Sequence, residues 1–313
     1  MSAAVQPSAC RPGRVVRRER VGSFFVLELD VPGWTPGVPG QFAMVRPEGS
    51  TRFLPRPLSL HRQKAERLSF LVSPIGPGTR GLGAVERGDV VWVEGPLGRG
   101  FDLAAMAEAG AAAAAFAASG SPPSPSLRLV VVAGGVGVAP FVHLLDELVF
   151  VDRDTGEAEP AGYGFDEVLV LLGFRDTVQA EAAWLFEGSV EALRRAGIAT
   201  RVEIIAEDGS LGRCGLVTSL LEEEIRPGDS IASCGAHGMC QAAWQVTQAV
   251  PGVRAWFSLE APMACGVGSC QGCVVEGADG GLVKVCRQGP VFPGETVFRL
   301  GEPAVCGREE GEA

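Results

Sequence analysis

The pattern of hydrophobic and polar positions changes three times along the chain. In residues 13–100, short apolar runs alternate with turns rich in glycine and proline. The clearest of these runs are 21–31, 42–46, 68–72 and 90–94. Short runs bounded by such turns are typical of β-strands. Residues 1–101 are therefore predicted to form an antiparallel β-barrel or sandwich.

The next stretch, residues 102–126, has a different composition. It is rich in alanine and ends in serine and proline. This composition predicts a short exposed helix or a disordered insertion, followed by a linker.

From residue 127 to residue 255, short apolar runs alternate with helical stretches. Buried parallel strands are predicted for LRLVVVAGG, EVLVLLGF, ATRVEIIAED and DSIASCG. Helices are predicted for 139–150, for about 180–196 and for LVTSLLEEE. This alternation predicts a doubly wound α/β domain with a parallel sheet, interrupted by a surface excursion at 151–165.

Residues 256–313 form the last predicted unit, a small cysteine-rich domain with a tail. Three short pieces of it, VVEG, LVKVC and ETVFRL, have the composition of strands. The chain is thus predicted to be a multi-domain protein.

Net charge and hydropathy exclude several classes of function. The chain carries 27 Lys and Arg against 37 Asp and Glu, a net charge of -10, so nucleic-acid binding is not expected. We find no run of 18 apolar residues and no apolar stretch behind the first arginines, so neither a membrane span nor a signal peptide is expected. A cytoplasmic location is the resulting expectation.

Four of the nine cysteines, Cys265, Cys270, Cys273 and Cys286, lie within 22 positions of a glycine-rich segment. Thiolates at close spacing bind zinc or iron–sulfur clusters. Zinc sites usually pair their ligands in two C-x2-4-C units, whereas the spacing here is C-x4-C-x2-C followed by a fourth cysteine after 12 residues, as in plant-type [2Fe–2S] proteins. The spacing favours a [2Fe–2S] cluster, with zinc or four ordinary cysteines as alternatives.

Two further motifs lie at predicted strand ends of the α/β domain. In VAGGVGVAP, residues 132–140, a glycine-rich turn precedes a helix, whose unpaired N–H groups suit a pyrophosphate. The spacing is not G-x-G-x-x-G, so a tight turn without a ligand is the alternative. In SCGAHGM, residues 233–239, Cys234 is placed at the carboxyl edge of the sheet, where ligands bind, unless it is a buried free cysteine.

The barrel carries two weaker motifs, RPLS at residues 56–59 and GPGT at residues 76–79. Arg56 could pair with a phosphate, and Ser59 could offer its hydroxyl to a flavin. Taken alone, RPLS is better explained as a β-turn with a solvated arginine. His143 and His237 have no obvious metal partners, and no Ser–His–Asp set or carboxylate pair is evident, so no catalytic residue is predicted.

In this order, RPLS, GGVGVAP and the four cysteines resemble the ferredoxin–NADP reductase superfamily. The segment SLEAPMACGVGSCQGCVV, residues 258–275, and AEDGSLGRCGLVTSLL, residues 206–221, most resemble the iron–sulfur electron-transfer subunits of type B dihydroorotate dehydrogenase. The resemblance covers about residues 13–300. It departs from the family pattern at Ala236, which replaces the proline of the usual Cys-Gly-Pro.

The resemblance implies three cofactors and a partner. It implies FAD at the barrel, held by Arg56, Pro57, Leu58, Ser59, Gly78 and Thr79. It implies NAD at the α/β domain, held by Gly134, Gly135, Val136, Gly137, Pro140, Cys234 and Gly235. The cluster ligands would be Cys265, Cys270, Cys273 and Cys286, and the partner an FMN-containing dihydroorotate dehydrogenase catalytic subunit, in a heterotetramer.

Two other functions are compatible with the same residues. One is an NAD(P)H-dependent reductase that serves another acceptor, such as a hydrogenase, a sulfur reductase or an oxygenase component. The other is a zinc-stabilised interaction protein, which would contain no flavin. The sequence shows no residue that faces the adenosine ribose, so the preference for NAD over NADP rests on the resemblance.

Overall fold

The structure is a computed structural model. It describes residues 9–117, 126–152 and 154–299, without the side chains of 113–117. The serine- and proline-rich end of the predicted linker and the tail with Cys306 lie outside the described residues. No helix in the described ranges is long and apolar enough to cross a membrane.

The first unit is a curled antiparallel sheet. Its strands are β1 (Ala9–Val21), β2 (Phe24–Asp30), β3 (Phe42–Pro47), β4 (Arg56–Ser59), β5 (Arg62–Lys64), β6 (Arg67–Val72) and β7 (Val90–Leu97), and the short helix α1 (Pro77–Leu82) lies between β6 and β7. The strands pair in the order β4-β3-β7-β1-β2-β6-β5. The two edge strands, β4 and β5, are separated by only two residues of chain, so the sheet must curl until its edges meet.

The interior of this sheet is filled by alternating apolar side chains. Leu27 and Leu29 of β2, Phe70 of β6, and Val91 and Val93 of β7 have no exposed surface. Their spacing of two residues is the strand periodicity seen in the sequence. The predicted antiparallel barrel is therefore confirmed, and RPLS is strand β4 rather than a β-turn.

The second unit is a doubly wound α/β sheet. Its elements are α2 (Leu103–Ala117), β8 (Leu127–Gly134), α3 (Ala139–Glu147), β9 (Val149–Val151), β10 (Ala158–Pro160), β11 (Phe165–Phe174), α4 (Thr177–Ala180), α5 (Glu187–Arg195), β12 (Ala199–Ala206), α6 (Val217–Glu224), β13 (Ser230–Cys234), α7 (His237–Gln248) and β14 (Arg254–Ser258). The strand order is β12-β11-β8-β13-β14, all parallel. The order reverses between β8 and β13, and in such sheets the crevice outside the strand ends at this point binds ligands.

The alanine-rich helix α2 belongs to the core. Leu103, Met106 and Ala107 are buried, and the Ser230 hydroxyl of β13 donates a hydrogen bond to the Met106 carbonyl at 2.8 Å. The prediction of an exposed helix or insertion was wrong for this half of the helix. Small side chains let α2 lie close to the sheet, as at Gly110, where a Cβ atom would be 3.0 Å from the Ser230 hydroxyl.

The last unit contains β15 (Val274–Glu276), β16 (Leu282–Lys284), α8 (Val285–Gln288), β17 (Val291–Pro293) and α9 (Gly294–Val297). Strand β17 returns to the α/β sheet and pairs antiparallel with β14. ETVFRL was predicted as a strand, but its first residues form α9. The boundary predicted between residues 255 and 256 falls inside β14, so the parallel sheet extends to Ser258.

The three units share one apolar core. It contains Phe42 and Met44 of the barrel, Val130 and Leu171 of the α/β sheet, and Cys286 of the last unit.

Two predicted features of the α/β domain differ in detail from the structure. The helix predicted over about 180–196 is divided into α4, a 3-10 segment and α5. The surface excursion predicted at 151–165 contains the exposed hairpin β9–β10.

Candidate functional site

The first candidate site joins the start of β4 to the turn before α1. A Cβ atom on Gly78 would lie 2.0 Å from the Arg56 Nε atom, so the guanidinium lies directly on this glycine. Arg56 Nη1 donates to the carbonyl oxygens of Leu54 and Pro55 at 3.0 and 3.2 Å, which fixes its orientation. The Thr79 hydroxyl caps the turn that leads into α1. A fixed guanidinium beside a helix start suits a phosphate group.

The second site is the turn between β8 and α3. Gly135 has a φ of +54°, which favours glycine. Gly137 is packed so tightly that a Cβ atom there would lie 2.4 Å from the Cys234 carbonyl oxygen. Val136 lies between these glycines, and Pro140 is a buried residue in the first turn of α3. The turn therefore presents a closely packed backbone at the carboxyl end of β8, as a pyrophosphate site requires.

Cys234 and Gly235 lie beside that turn, as predicted, because β13 pairs with β8 in the parallel sheet. Cys234 is buried, and burial raises the pKa of its thiol, which therefore stays protonated. Sequence reasoning missed Met239, whose thioether covers both strand ends. A Cβ atom would lie 2.5 Å from its Sδ atom if placed on Gly134, and 2.7 Å from its Cε atom if placed on Gly235. One indication of this role was present in the sequence, because Met239 is the last residue of the motif SCGAHGM.

The third site is the loop of the four cysteines. The backbone N–H groups of Cys270, Gly272 and Cys286 point to thiol sulfurs at 3.4 Å, those of Cys265, Cys270 and Cys273 respectively. Gly266, Gly268 and the non-glycine Gln271 have positive φ values. The loop thus turns its N–H groups inward, the arrangement that stabilises a negatively charged sulfur centre.

The four thiols differ in exposure and in acidity. Cys270 is exposed and Cys265 half-buried, whereas Cys273 and Cys286 are buried. Burial opposes ionisation of Cys265, but hydrogen bonds from the loop backbone outweigh it and lower its pKa to about 6. Burial and the neighbouring Cys273 raise the pKa of Cys286 to about 12. A metal centre at this loop would favour the thiolate form of all four.

The four thiols supply the ligand set of a two-iron cluster. In the described part of the chain, no three His, Cys, Asp or Glu side chains converge on a single metal-ion site. The thiols nevertheless lie near one another, because a hydrogen bond with Cys270 lowers the pKa of Cys265, and both Cys273 and Cys265 raise the pKa of Cys286. A [2Fe–2S] cluster takes four cysteine ligands, and these four neighbouring thiols match that donor set.

The cysteine loop lies against the barrel strand that pairs with RPLS. A Cβ atom on Gly266 would lie 2.6 Å from the Met44 Cγ atom, and Met44 is buried. In the β3–β4 ladder, Met44 pairs with Pro57. Leu58 and Ser59 complete β4, which is half-buried throughout. The structure thus brings the candidate cluster loop to β3, the strand next to the one that carries the candidate phosphate site, a proximity that local sequence did not reveal.

Comparison with known proteins agrees with this arrangement. Residues 260–298 match the iron–sulfur cluster binding domain of dihydroorotate dehydrogenase B. Among solved structures, an NADH-dependent reduced ferredoxin–NADP oxidoreductase has a TM-score of 0.67 at 21% identity, covering 91% of this chain and 89% of that chain. Ferredoxin–NADP+ reductase from Plasmodium falciparum has a TM-score of 0.56 at 13% identity, covering 77% and 94%. The likeness to these structures is one of fold, and it defines the class as a curled antiparallel barrel and a parallel α/β sheet joined to an iron–sulfur cluster binding domain.

Relatives identify the family within that class. A dihydroorotate dehydrogenase B (NAD+) electron transfer subunit from Caldanaerobacter subterraneus subsp. tengcongensis is 32% identical over 91% of this chain and 97% of the relative. The subunit of the same name from Clostridium acetobutylicum is 28% identical, over 87% and 91%. This chain belongs to the family of dihydroorotate dehydrogenase B electron transfer subunits.

Proposed function

We propose that this chain accepts electrons from an FMN-containing dihydroorotate dehydrogenase catalytic subunit and delivers them to NAD+, with FAD and a [2Fe–2S] cluster as resident cofactors. When bound, a flavin exchanges electrons singly or in pairs, so it joins the two-electron chemistry of NAD to the one-electron chemistry of a cluster. The proposal requires the three sites to be neighbours in the order cluster, flavin and nicotinamide.

One observation carries this proposal, the contact of Gly266 in the cysteine loop with Met44 on β3, whose ladder partner is Pro57 of β4. It supports a short path between the cluster loop and the flavin strand. Met44, the side chain between them, is buried, so water does not reach this contact.

The chain's own residues have separate tasks in this proposal. Cys265, Cys270, Cys273 and Cys286 hold the cluster, and the N–H groups around them stabilise its negative charge. Arg56, Gly78 and Thr79 bind the flavin phosphates, while Pro57, Leu58 and Ser59 line the flavin. The turn of Gly134, Gly135, Val136, Gly137 and Pro140 binds the NAD pyrophosphate, and Cys234 and Gly235 contact the nicotinamide side. We assign no residue to acid–base catalysis, because hydride and electron transfer require none here.

The exposed Cys270 places one edge of the cluster loop at the surface. This exposure supports electron exchange with a separate catalytic subunit at that edge. A heterotetramer of two subunit types in the cytoplasm is the assembly that the family resemblance implies.

The cofactor content tests the proposal. Anaerobically purified protein is expected to contain one FAD, two irons and two sulfides per chain, and to bleach in the visible range when NADH is added. Electron paramagnetic resonance of the dithionite-reduced protein is expected to show a [2Fe–2S] signal. A colourless protein with one zinc and no flavin would contradict the proposal and select the interaction protein.

A further inference from the structure

The side chains of three consecutive residues that follow β4 all contact helix α3. His61, Arg62 and Gln63 contact Ala139, Asp146 and His143 of α3, respectively. Positions 139, 143 and 146 are spaced by four and three residues, so they lie on one face of α3. We call His61–Gln63 the strap.

The His61 contact is buried and directional. Its Nδ1 atom lies 3.0 Å from the Ala139 carbonyl oxygen, and the side chain is 3% exposed. A carbonyl oxygen only accepts, so His61 carries its proton on Nδ1. Burial lowers the pKa of His61 to about 4, so the ring is neutral at physiological pH.

The other hydrogen bonds of Gln63 fix the orientation of its amide group. Its Oε1 atom accepts from the Trp34 indole at 3.3 Å and from the Gly37 N–H at 3.0 Å. Its amide nitrogen therefore faces the Gly37 carbonyl and the His143 Nε2 atom, the latter at 3.2 Å. Gln63 thus links α3 to the barrel loop that contains Trp34 and Gly37 through hydrogen bonds.

Arg62 makes the most exposed of the three contacts with this face of α3. Its Nε atom donates to Asp146 at 2.7 Å, and its Nη2 atom donates to the Ser189 hydroxyl of α5 at 3.0 Å. The Ser189 hydroxyl in turn donates to Asp146 at 2.5 Å. Arg62 and Asp146 are partly exposed, so this corner stabilises α3 less than the buried His61 contact does.

We infer that the strap fixes the position of the NAD pyrophosphate turn, residues 134–140, relative to strand β4, and that His61 is its main positioning residue. His61 follows Ser59 by two residues, and its acceptor Ala139 follows Gly137 by two residues. One hydrogen bond therefore joins the end of one proposed cofactor site to the end of the other. Hydride transfer depends on such placement, since an error of about 1 Å can cost roughly 100-fold in rate. The inference rests on the proposed function.

The test compares His61→Leu, which keeps bulk but has no donor, with His61→Asn, whose amide N–H can replace Nδ1–H. Thr247→Val is the matched control, because Thr247 is buried and its hydroxyl donates to a carbonyl within α7, away from the barrel. The first readout is amide hydrogen exchange of peptide 135–147, which needs no cofactor. The second is the single-turnover rate of FAD reduction by saturating NADH, with the NADH Kd measured separately.

We expect His61→Leu to raise exchange in peptide 135–147 about tenfold and to slow FAD reduction about tenfold or more, with the NADH Kd within about threefold of wild type. His61→Asn should restore both, and Thr247→Val should lower thermal stability alone. The inference would be overturned if His61→Leu kept the wild-type hydrogen exchange and the wild-type rate of FAD reduction. It would also be overturned if Thr247→Val changed both by as much as His61→Leu.

Asp146→Asn serves as a second variant if His61→Leu does not fold. It weakens the outer corner of the strap and should raise exchange in the same peptide, and unchanged exchange would overturn the inference. A wild-type protein whose FAD is not reduced by NADH would refute the proposed function instead, and the exchange measurement would still decide whether the strap holds α3.

Discussion

Gly137→Ala tests the packing of the NAD pyrophosphate turn, residues 134–140. The new Cβ atom would lie 2.4 Å from the Cys234 carbonyl oxygen and 2.7 Å from the Gly235 Cα atom. Both neighbours are backbone atoms that cannot rotate away. Ordinary contact begins at 3.4 Å, so the turn and β13 must separate by about 1 Å. A misplacement of that size costs roughly 100-fold in transfer rate, and overpacking costs about 1–3 kcal/mol of stability.

Stopped-flow reduction of FAD by NADH measures this loss. We expect a decrease of about 100-fold in kcat/KM for NADH, while FAD content and the dithionite-reduced cluster signal stay normal. Gly188→Ala is the matched control, because no atom lies within 4 Å of a Cβ atom at that position on α5. Unchanged NADH reduction in a folded Gly137→Ala protein would refute the assignment of this turn.

Three further predictions address the other sites. Cys270→Ser should abolish electron exchange with the catalytic subunit but leave NADH reduction of FAD largely intact, and equal loss of both activities would contradict separate sites. Gly78→Ala displaces the guanidinium that lies on this glycine and should weaken FAD retention about tenfold or more, measured by flavin release on gel filtration; full retention would refute the assignment. Burial lowers the pKa values of His61 and His143 to about 4 from 6.5, so the folded state binds fewer protons than the unfolded state. The free energy of unfolding should therefore be greatest above pH 6.5 and fall by up to ~3 kcal/mol per histidine as pH drops toward 4. Urea unfolding at pH 7.5, 5.5 and 4.5 checks this, and constant stability across that window would contradict it.

Much of the fold could be predicted because its signals are local. β8 and β11 are continuous apolar runs, since both faces of a parallel sheet are covered, and the barrel strands alternate at a spacing of two. The four cysteines could be assigned to one centre because three of them are placed by a single short loop. These features depend on neighbours in sequence, which one chain displays directly.

The features that sequence reasoning missed depend on distant contacts. The alanine-rich α2 has no polar–apolar alternation, and its burial follows only from its contact with the sheet. The predicted boundary at 255 falls inside β14, which pairs with β17 in one sheet although 32 residues separate the two strands. The contact of Arg56 with Gly78, the path through Met44 and the strap at His61 likewise join segments far apart in the chain.

Dihydroorotate-dependent NAD+ reduction tests the central claim most directly. The assay would use anaerobically purified protein with and without the dihydroorotate dehydrogenase catalytic subunit of the same organism. We predict that NADH is formed only in the mixture, and that the activity is lost when Cys270→Ser replaces the wild-type chain. No NADH formation by a mixture in which this chain retains its FAD and its cluster would contradict the proposed electron partner.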